Sequence, residues 1–236
     1  YYLEQLPQPF YAKLITVSNH YPYIIDKKNT SIKSWNTGDS TVDHYVQTAR
    51  YLDESVGELL NYLDSTGLRK NTMLVLYGDH YGISNSENKN LASVLGKNAD
   101  DWTDFDNVQM QRVPLMFVIP GSGGHGGIYS TYGGEIDVLP TLLHLLGIST
   151  KRYIQFGTDL FSSQHDQVVA LRNQDFVTPK YTSISGKIYL NSTGKLAKLT
   201  KQEKKQLRAD QKKVSEELAL SDSLNEKNLL RFYHPK

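Results

Sequence analysis

The sequence predicts an α/β fold, a parallel sheet flanked by helices, followed by a small C-terminal α+β subdomain. Three observations carry this expectation. Short apolar runs rich in β-formers alternate with helical patterns as far as about residue 147. One of those runs, residues 113–121, is continuously apolar, as strands buried on both faces are. Beyond residue 150 the pattern turns to polar and apolar alternation and then to a charged helix. The expected division is therefore residues 1–150 for the α/β part and 151–236 for the small subdomain.

The first run, FYAKLITVSNH (residues 10–20), leads into Tyr21-Pro22, a dipeptide that favours extended backbone. It reads as a buried strand with His20 at its C-terminal end. Between residues 39 and 63, Val42, Tyr45, Val46, Ala49, Leu52, Val56, Leu59, Leu60 and Leu63 follow the 3.6-residue period. That is one long amphipathic helix, with Gly67 just past its end. TMLVLY (residues 72–77) is the next strand and VPLMFVIPG (residues 113–121) the one after. Asp137 is placed to cap a helix with Pro140 in its first turn and Gly147 beyond it. The stretch ALRNQDFVTPKYTSISGKIYLNS then reads as small antiparallel strands around turns at Thr178-Pro179-Lys180 and Ser185-Gly186. Last, Thr200 and Glu203 form a capping box for a helix with a sparse apolar stripe of Leu207, Val214 and Leu218.

At 236 residues, 39% hydrophobic and 22% charged, the composition is that of an ordinary globular chain. A net charge of +1 argues against a dedicated nucleic-acid binder. The charge is uneven: residues 195–236 hold eleven Lys and Arg against six Asp and Glu, which reads first as a solvated helix face. There is no cysteine, so a metal must be held by carboxylate, imidazole, hydroxyl or carbonyl groups. No apolar run approaches the roughly 18 residues that span a bilayer. The opening YYLEQLPQPFYAK lacks the regions of a signal peptide and reads like a piece cut from something longer.

The chemistry concentrates in VLYGDHYGIS (residues 75–84), where a strand delivers Asp79 and His80 between two glycines as it leaves the core. A carboxylate beside an imidazole suits Mg²⁺, Mn²⁺ or Zn²⁺. The ordinary alternative is a Gly-Asp turn with a hydrogen-bonding histidine, and two ligands are too few for a metal site. His20 is expected at the same sheet edge, in an active-site or a capping role. His44 reads as a helix residue and His144 as a satisfied boundary histidine. His125 sits in a glycine-rich loop, and His165 and His234 have no constellation around them. Neither a G-x-S-x-G elbow nor a Walker loop is present.

KLITVSNHYPY, TVDHYVQTARYLDE, YGDHYGIS, VPLMFVIPG, IDVLPTLLHLLGI, FGTDLFS and SGKIYLN, in that order, together resemble the catalytic domain of lipoteichoic acid synthases. These are phosphoglycerol transferases of the alkaline phosphatase and sulfatase superfamily, and the likeness covers essentially the whole chain. It implies an alkaline-phosphatase/sulfatase-like α/β fold. Asp79 and His80 match two of that family's four ligands to one divalent ion, Mn²⁺ or Mg²⁺, and His20 matches a histidine that contacts the substrate's glycerol phosphate group. The family's Glu ligand, its Thr nucleophile, and a Trp and an Arg that contact substrate fall upstream of the matching motifs. The resemblance thus implies the C-terminal part of a catalytic domain, inactive alone. The implied reaction moves glycerol phosphate from phosphatidylglycerol to a lipoteichoic acid chain. Its implied setting is a membrane-anchored parent at the extracellular face of a Gram-positive cell membrane, with an ectodomain that cleavage can release. Two other readings stay open: a sulfatase or phosphodiesterase-type hydrolase, and a non-catalytic module that binds cell-wall polymer through the basic C-terminal helix.

Overall fold

A computed structural model describes residues 2–123 and 125–234 of the chain. The chain forms two compact units, Tyr1–Trp102 with Met110–Gly124, and Thr103–Gln109 with His125–Lys236. The helix after Asp137, assigned by sequence to the α/β part, groups with the second unit.

The first unit begins with a single turn, α1 (Tyr2–Gln5), and its main helix is α2 (Ser40–Ser65). Asp39 caps α2 by accepting from the amides of Thr41 at 2.8 Å and Val42 at 3.2 Å. Its other carboxylate oxygen takes the Asn90 side-chain amide at 2.6 Å, so one residue both starts the helix and pins a distant loop to it. Gly67, at φ 73°, terminates it as expected. The apolar face of α2 buries Val42 with Tyr23 and Ile83, and Trp35, Tyr45 and Leu91 pack around them.

Strand β1 (Leu74–Tyr77) pairs with β2 (Leu115–Val118), Leu74 opposite Val118 and Tyr77 opposite Leu115. The α/β class holds, but this pair is antiparallel rather than parallel. A parallel pair needs a crossover that returns the chain to the end where it started. Here β2 begins opposite the residue where β1 stops, so no crossover is made. A continuously apolar run reads alike in either direction, which is why composition pointed the wrong way. A second correction concerns residues 10–20: no strand forms there, and Leu14 and Ile15 are 67% and 71% exposed. Apolar β-formers make a strand only against a neighbour, and among the described residues no strand pairs with this one.

The second unit contains α3 (Asp104–Gln109), α4 (Val138–Leu145), a sheet of β3 (Val169–Ala170), β4 (Phe176–Val177), β5 (Tyr181–Ile184) and β6 (Lys187–Leu190), and helix α5 (Lys201–Glu226). The sheet is an antiparallel meander in sequence order. Its β5–β6 turn places Ser185 at φ 49° and Gly186 at φ 78°, the doubly left-handed turn that suits a two-residue hairpin loop. Against this sheet α5 buries Leu207 and Val214, which join Phe176 and Tyr181 in one core cluster. Each such side chain contributes about 1.5–3 kcal/mol. Phe105 and Val108 of α3 pack with Ile184, which accounts for residues 103–109 belonging to this unit.

Candidate functional site

Asp79 and His80 follow β1 directly, and the two glycines flanking them are there for space. A Cβ at Gly78 would stand 2.8 Å from Val113 Cβ and 3.0 Å from its Cγ1. At Gly82 it would stand 2.8 Å from the Tyr45 ring. The strand exit is thus clamped on both sides: the Gly78 amide donates to Pro114 O at 3.1 Å, and the Tyr23 hydroxyl donates to Gly82 O. Tyr23 is 3% exposed and meets Tyr45 edge to face at 5.1 Å. Burial raises the hydroxyl pKa of both tyrosines, which keeps them neutral donors.

The same Tyr23 holds His20. Tyr23 N donates to His20 O at 2.8 Å, closing a tight turn, and Thr48 of α2 donates to Asn19 Oδ1 at 2.8 Å. His20 is carried by a loop anchored at both sides, rather than by the strand end the sequence suggested. It nonetheless arrives at the predicted place. Its ring meets that of His80 edge to face, with centroids 5.8 Å apart.

Two details define what these groups can do. His80 Nδ1 lies 2.7 Å from Tyr81 O, and His20 Nδ1 lies 2.9 Å from Tyr21 O. A carbonyl only accepts, so each Nδ1 carries the proton and, in the neutral ring, each Nε2 keeps its lone pair. His80 Nε2 is 3.9 Å from Asp79 Oδ1, and both side chains are more than half exposed. Two ligands about 2.1 Å from one ion stand roughly 3.0 Å apart at a right angle and roughly 3.4 Å apart at the tetrahedral angle, so at 3.9 Å the pair is set wider than either and shares an ion only after its exposed side chains turn toward each other. Among the described residues, no group of three or more His, Cys, Asp or Glu is arranged to hold a metal.

Two of the other histidines, His144 and His165, have partners of their own. His144 Nδ1 pairs with Asp159 at 2.7 Å. His165, for which the sequence showed no constellation, is engaged at both ring nitrogens, by Thr158 Oγ1 and by Tyr132 O. Asp137 also does something its position did not reveal. Its carboxylate makes no side-chain cap to α4 and instead accepts from Gly134 N at 2.9 Å and Thr158 N at 2.7 Å. Thr141 then links Asp137 O to Leu160 N. The motifs IDVLPTLLHLLGI and FGTDLFS are therefore two halves of one buried polar clamp, a scaffold role.

An α/β domain that gathers a carboxylate and two imidazoles where a strand leaves the sheet defines a class, and the comparisons name it. The chain belongs to the sulfatase family, whose model matches residues 1–148. It is 53% identical over 231 residues to lipoteichoic acid synthase 1 of Bacillus subtilis, covering 98% of this chain and 35% of that protein. It is 44% identical over 232 residues to lipoteichoic acid synthase of Staphylococcus aureus, again covering 98% and 35%. The chain therefore spans about a third of the length of these relatives. A solved protein of the alkaline phosphatase superfamily from Vibrio parahaemolyticus shares the fold, with a TM-score of 0.62 at 17% identity over 100% of this chain and 53% of that one.

Proposed function

We propose that this chain is part of a metal-dependent phosphoglycerol transferase that moves glycerol phosphate from phosphatidylglycerol to a lipoteichoic acid chain. One observation carries the reading: the Asp79 carboxylate, His80 Nε2 and the His20 ring converge on one exposed edge in a chain 44–53% identical to lipoteichoic acid synthases. Asp79 and His80 are two ligands of a Mn²⁺ or Mg²⁺ ion, a pairing that suits hard or borderline donors. Bound there, the ion supplies Lewis acidity at a phosphoryl oxygen and offsets its charge.

The chain's own groups do the rest of what is assigned here. The carbonyl of Tyr81 fixes the His80 tautomer so that its lone pair faces outward. His20, whose Nδ1 is tied to Tyr21 O, handles protons through Nε2 alone. In its imidazolium form it donates that proton to the departing diacylglycerol oxygen and ends in the neutral tautomer that the carbonyl already favours. The remaining ligands and the Thr nucleophile belong to a part of the protein outside these residues, so this chain alone binds Mn²⁺ weakly and turns over no phosphatidylglycerol. No helix among the described residues is long and apolar enough to cross a membrane. The setting proposed for the site is the extracellular face of a Gram-positive cell membrane, in line with relatives named lipoteichoic acid synthase in Bacillus subtilis and Staphylococcus aureus.

The test is a catalytically complete protein carrying this chain, supplied with Mn²⁺, phosphatidylglycerol and a glycerol phosphate acceptor. Release of diacylglycerol with lengthening of the acceptor is expected. Release of free glycerol phosphate without lengthening would make it a hydrolase.

A further inference from the structure

The basic excess of the C-terminal region is not scattered over α5. Lys201, Lys204, Lys205, Arg208 and Lys212 are all exposed. At 3.6 residues per turn they fall within an arc of about 100°, and the row runs about 16 Å along the axis. The opposite face holds Leu207, Asp210 and Val214, the buried residues of this helix. Lys213, off the stripe, pairs with Asp166, and Lys180 pairs with Glu203. Within the stripe only Lys212 has a carboxylate near it, Glu216 at 3.6 Å, and among the described residues the other four have none within ion-pair distance. Five like charges set on one helical stripe repel one another, so the arrangement costs stability unless an anion meets it.

We propose that this stripe is a docking track for a linear phosphodiester polymer of the glycerol phosphate type; the choice of that polymer rests on the transferase reading above. Such a polymer carries one negative charge per three-carbon repeat, a spacing comparable to the helical pitch of about 5.4 Å. A single row of cations matches a thread better than a plane. No large apolar side chain flanks the row, so the helix lacks the face that would insert into a bilayer. The track would hold the growing product by charge alone, leaving it free to slide.

The experiment uses the 236-residue chain without Mn²⁺, titrated with a synthetic glycerol phosphate oligomer by calorimetry and by NMR at low and high salt. A variant carrying K201Q, K205Q, R208Q and K212Q is compared with one carrying K201R, K205R and K212R, with circular dichroism confirming the helix in both. Expected are binding that weakens with salt, a loss of about tenfold or more in the Gln variant, and retention in the Arg variant. Equal binding by the Gln variant, no binding by the native chain, or stripe-dependent binding to anionic phosphatidylglycerol vesicles in place of the oligomer would each overturn the proposal. None of these outcomes involves turnover, so the transferase assay decides the proposed function separately.

Discussion

The rings of His20 and His80 meet edge to face at 5.8 Å, and each donates its Nδ1 proton to the carbonyl of the residue that follows it. Two histidines 60 positions apart in the chain are thus set in the same tautomer by the same local device. They differ in what stands beside the free nitrogen. His80 Nε2 has the Asp79 carboxylate 3.9 Å away, whereas among the described residues no carboxylate lies within ion-pair distance of His20. The shared tautomer makes both available, and the neighbour is the feature on which the proposed ligand role of His80 and proton-handling role of His20 divide.

That separation predicts the phenotype of His20. In a catalytically complete protein carrying this chain, His20→Ala should keep Mn²⁺ at native affinity and lose roughly two to four orders of magnitude in kcat/KM. If His20 serves only to hold the Tyr21-Pro22 turn, the variant would lose thermal stability and keep its specific activity. Metal content, Tm and kcat/KM measured on one preparation decide between them.

Asp79 and His80 predict the reverse pattern. Replacing either by Ala should cost metal occupancy and nearly all activity, while an exposed site leaves the folding stability of the metal-free protein within about 0.5 kcal/mol of native. Near-normal kcat at saturating Mn²⁺ in either variant would remove that residue from the ligand set.

The glycine before Asp79 predicts a packing effect with its own control. Gly78→Ala drives a methyl group to 2.8 Å from Val113 Cβ, an atom fixed to the backbone that cannot swing aside. Overpacking of this kind costs about 1–3 kcal/mol. Val113→Ala keeps the Cβ and removes the Cγ1 that lies at 3.0 Å, so the double variant should recover part of the loss. Urea unfolding of the two single variants and the double variant measures the coupling, and strictly additive values would contradict the contact.

What the sequence revealed and what it hid divide along one physical line. Features set within a few residues were legible: the Thr200 and Glu203 box, the glycines ending two helices, and the Asp79-His80 pair at a strand exit. Features set by a distant partner were not. The direction of β2 depends on where the chain enters, and whether residues 10–20 become a strand depends on a neighbour. Asp137 has the residue type and position of a helix cap, yet its carboxylate answers to Thr158, 21 positions away. The tautomers of His20 and His80 are a local matter, but the turns that impose them are invisible in residue type alone.

The last prediction concerns acid. The Glu203 carboxylate takes the Lys180 ammonium at 2.8 Å, the Tyr181 hydroxyl at 2.5 Å and the Thr200 amide at 2.9 Å, joining the start of α5 to β5. These partners, Lys180 first, hold its pKa far below the ordinary 4.5. A carboxyl depressed in the folded state stabilises the fold at every pH above its unfolded value, and that contribution fades as pH falls below about 4.5 toward the folded value. Folding stability should therefore decline from near pH 4.5 downward, and the Glu203→Gln variant should show a flatter profile over that range. The variant keeps an acceptor for Thr200 and Tyr181, so its helix should still form, with a lower Tm at pH 7 that approaches the native value at pH 3. Because the pair is exposed, added salt should narrow the difference at pH 7. Tm read by circular dichroism from pH 7 to pH 3 decides the matter, and parallel profiles for the two proteins would show that Glu203 does not bear this load.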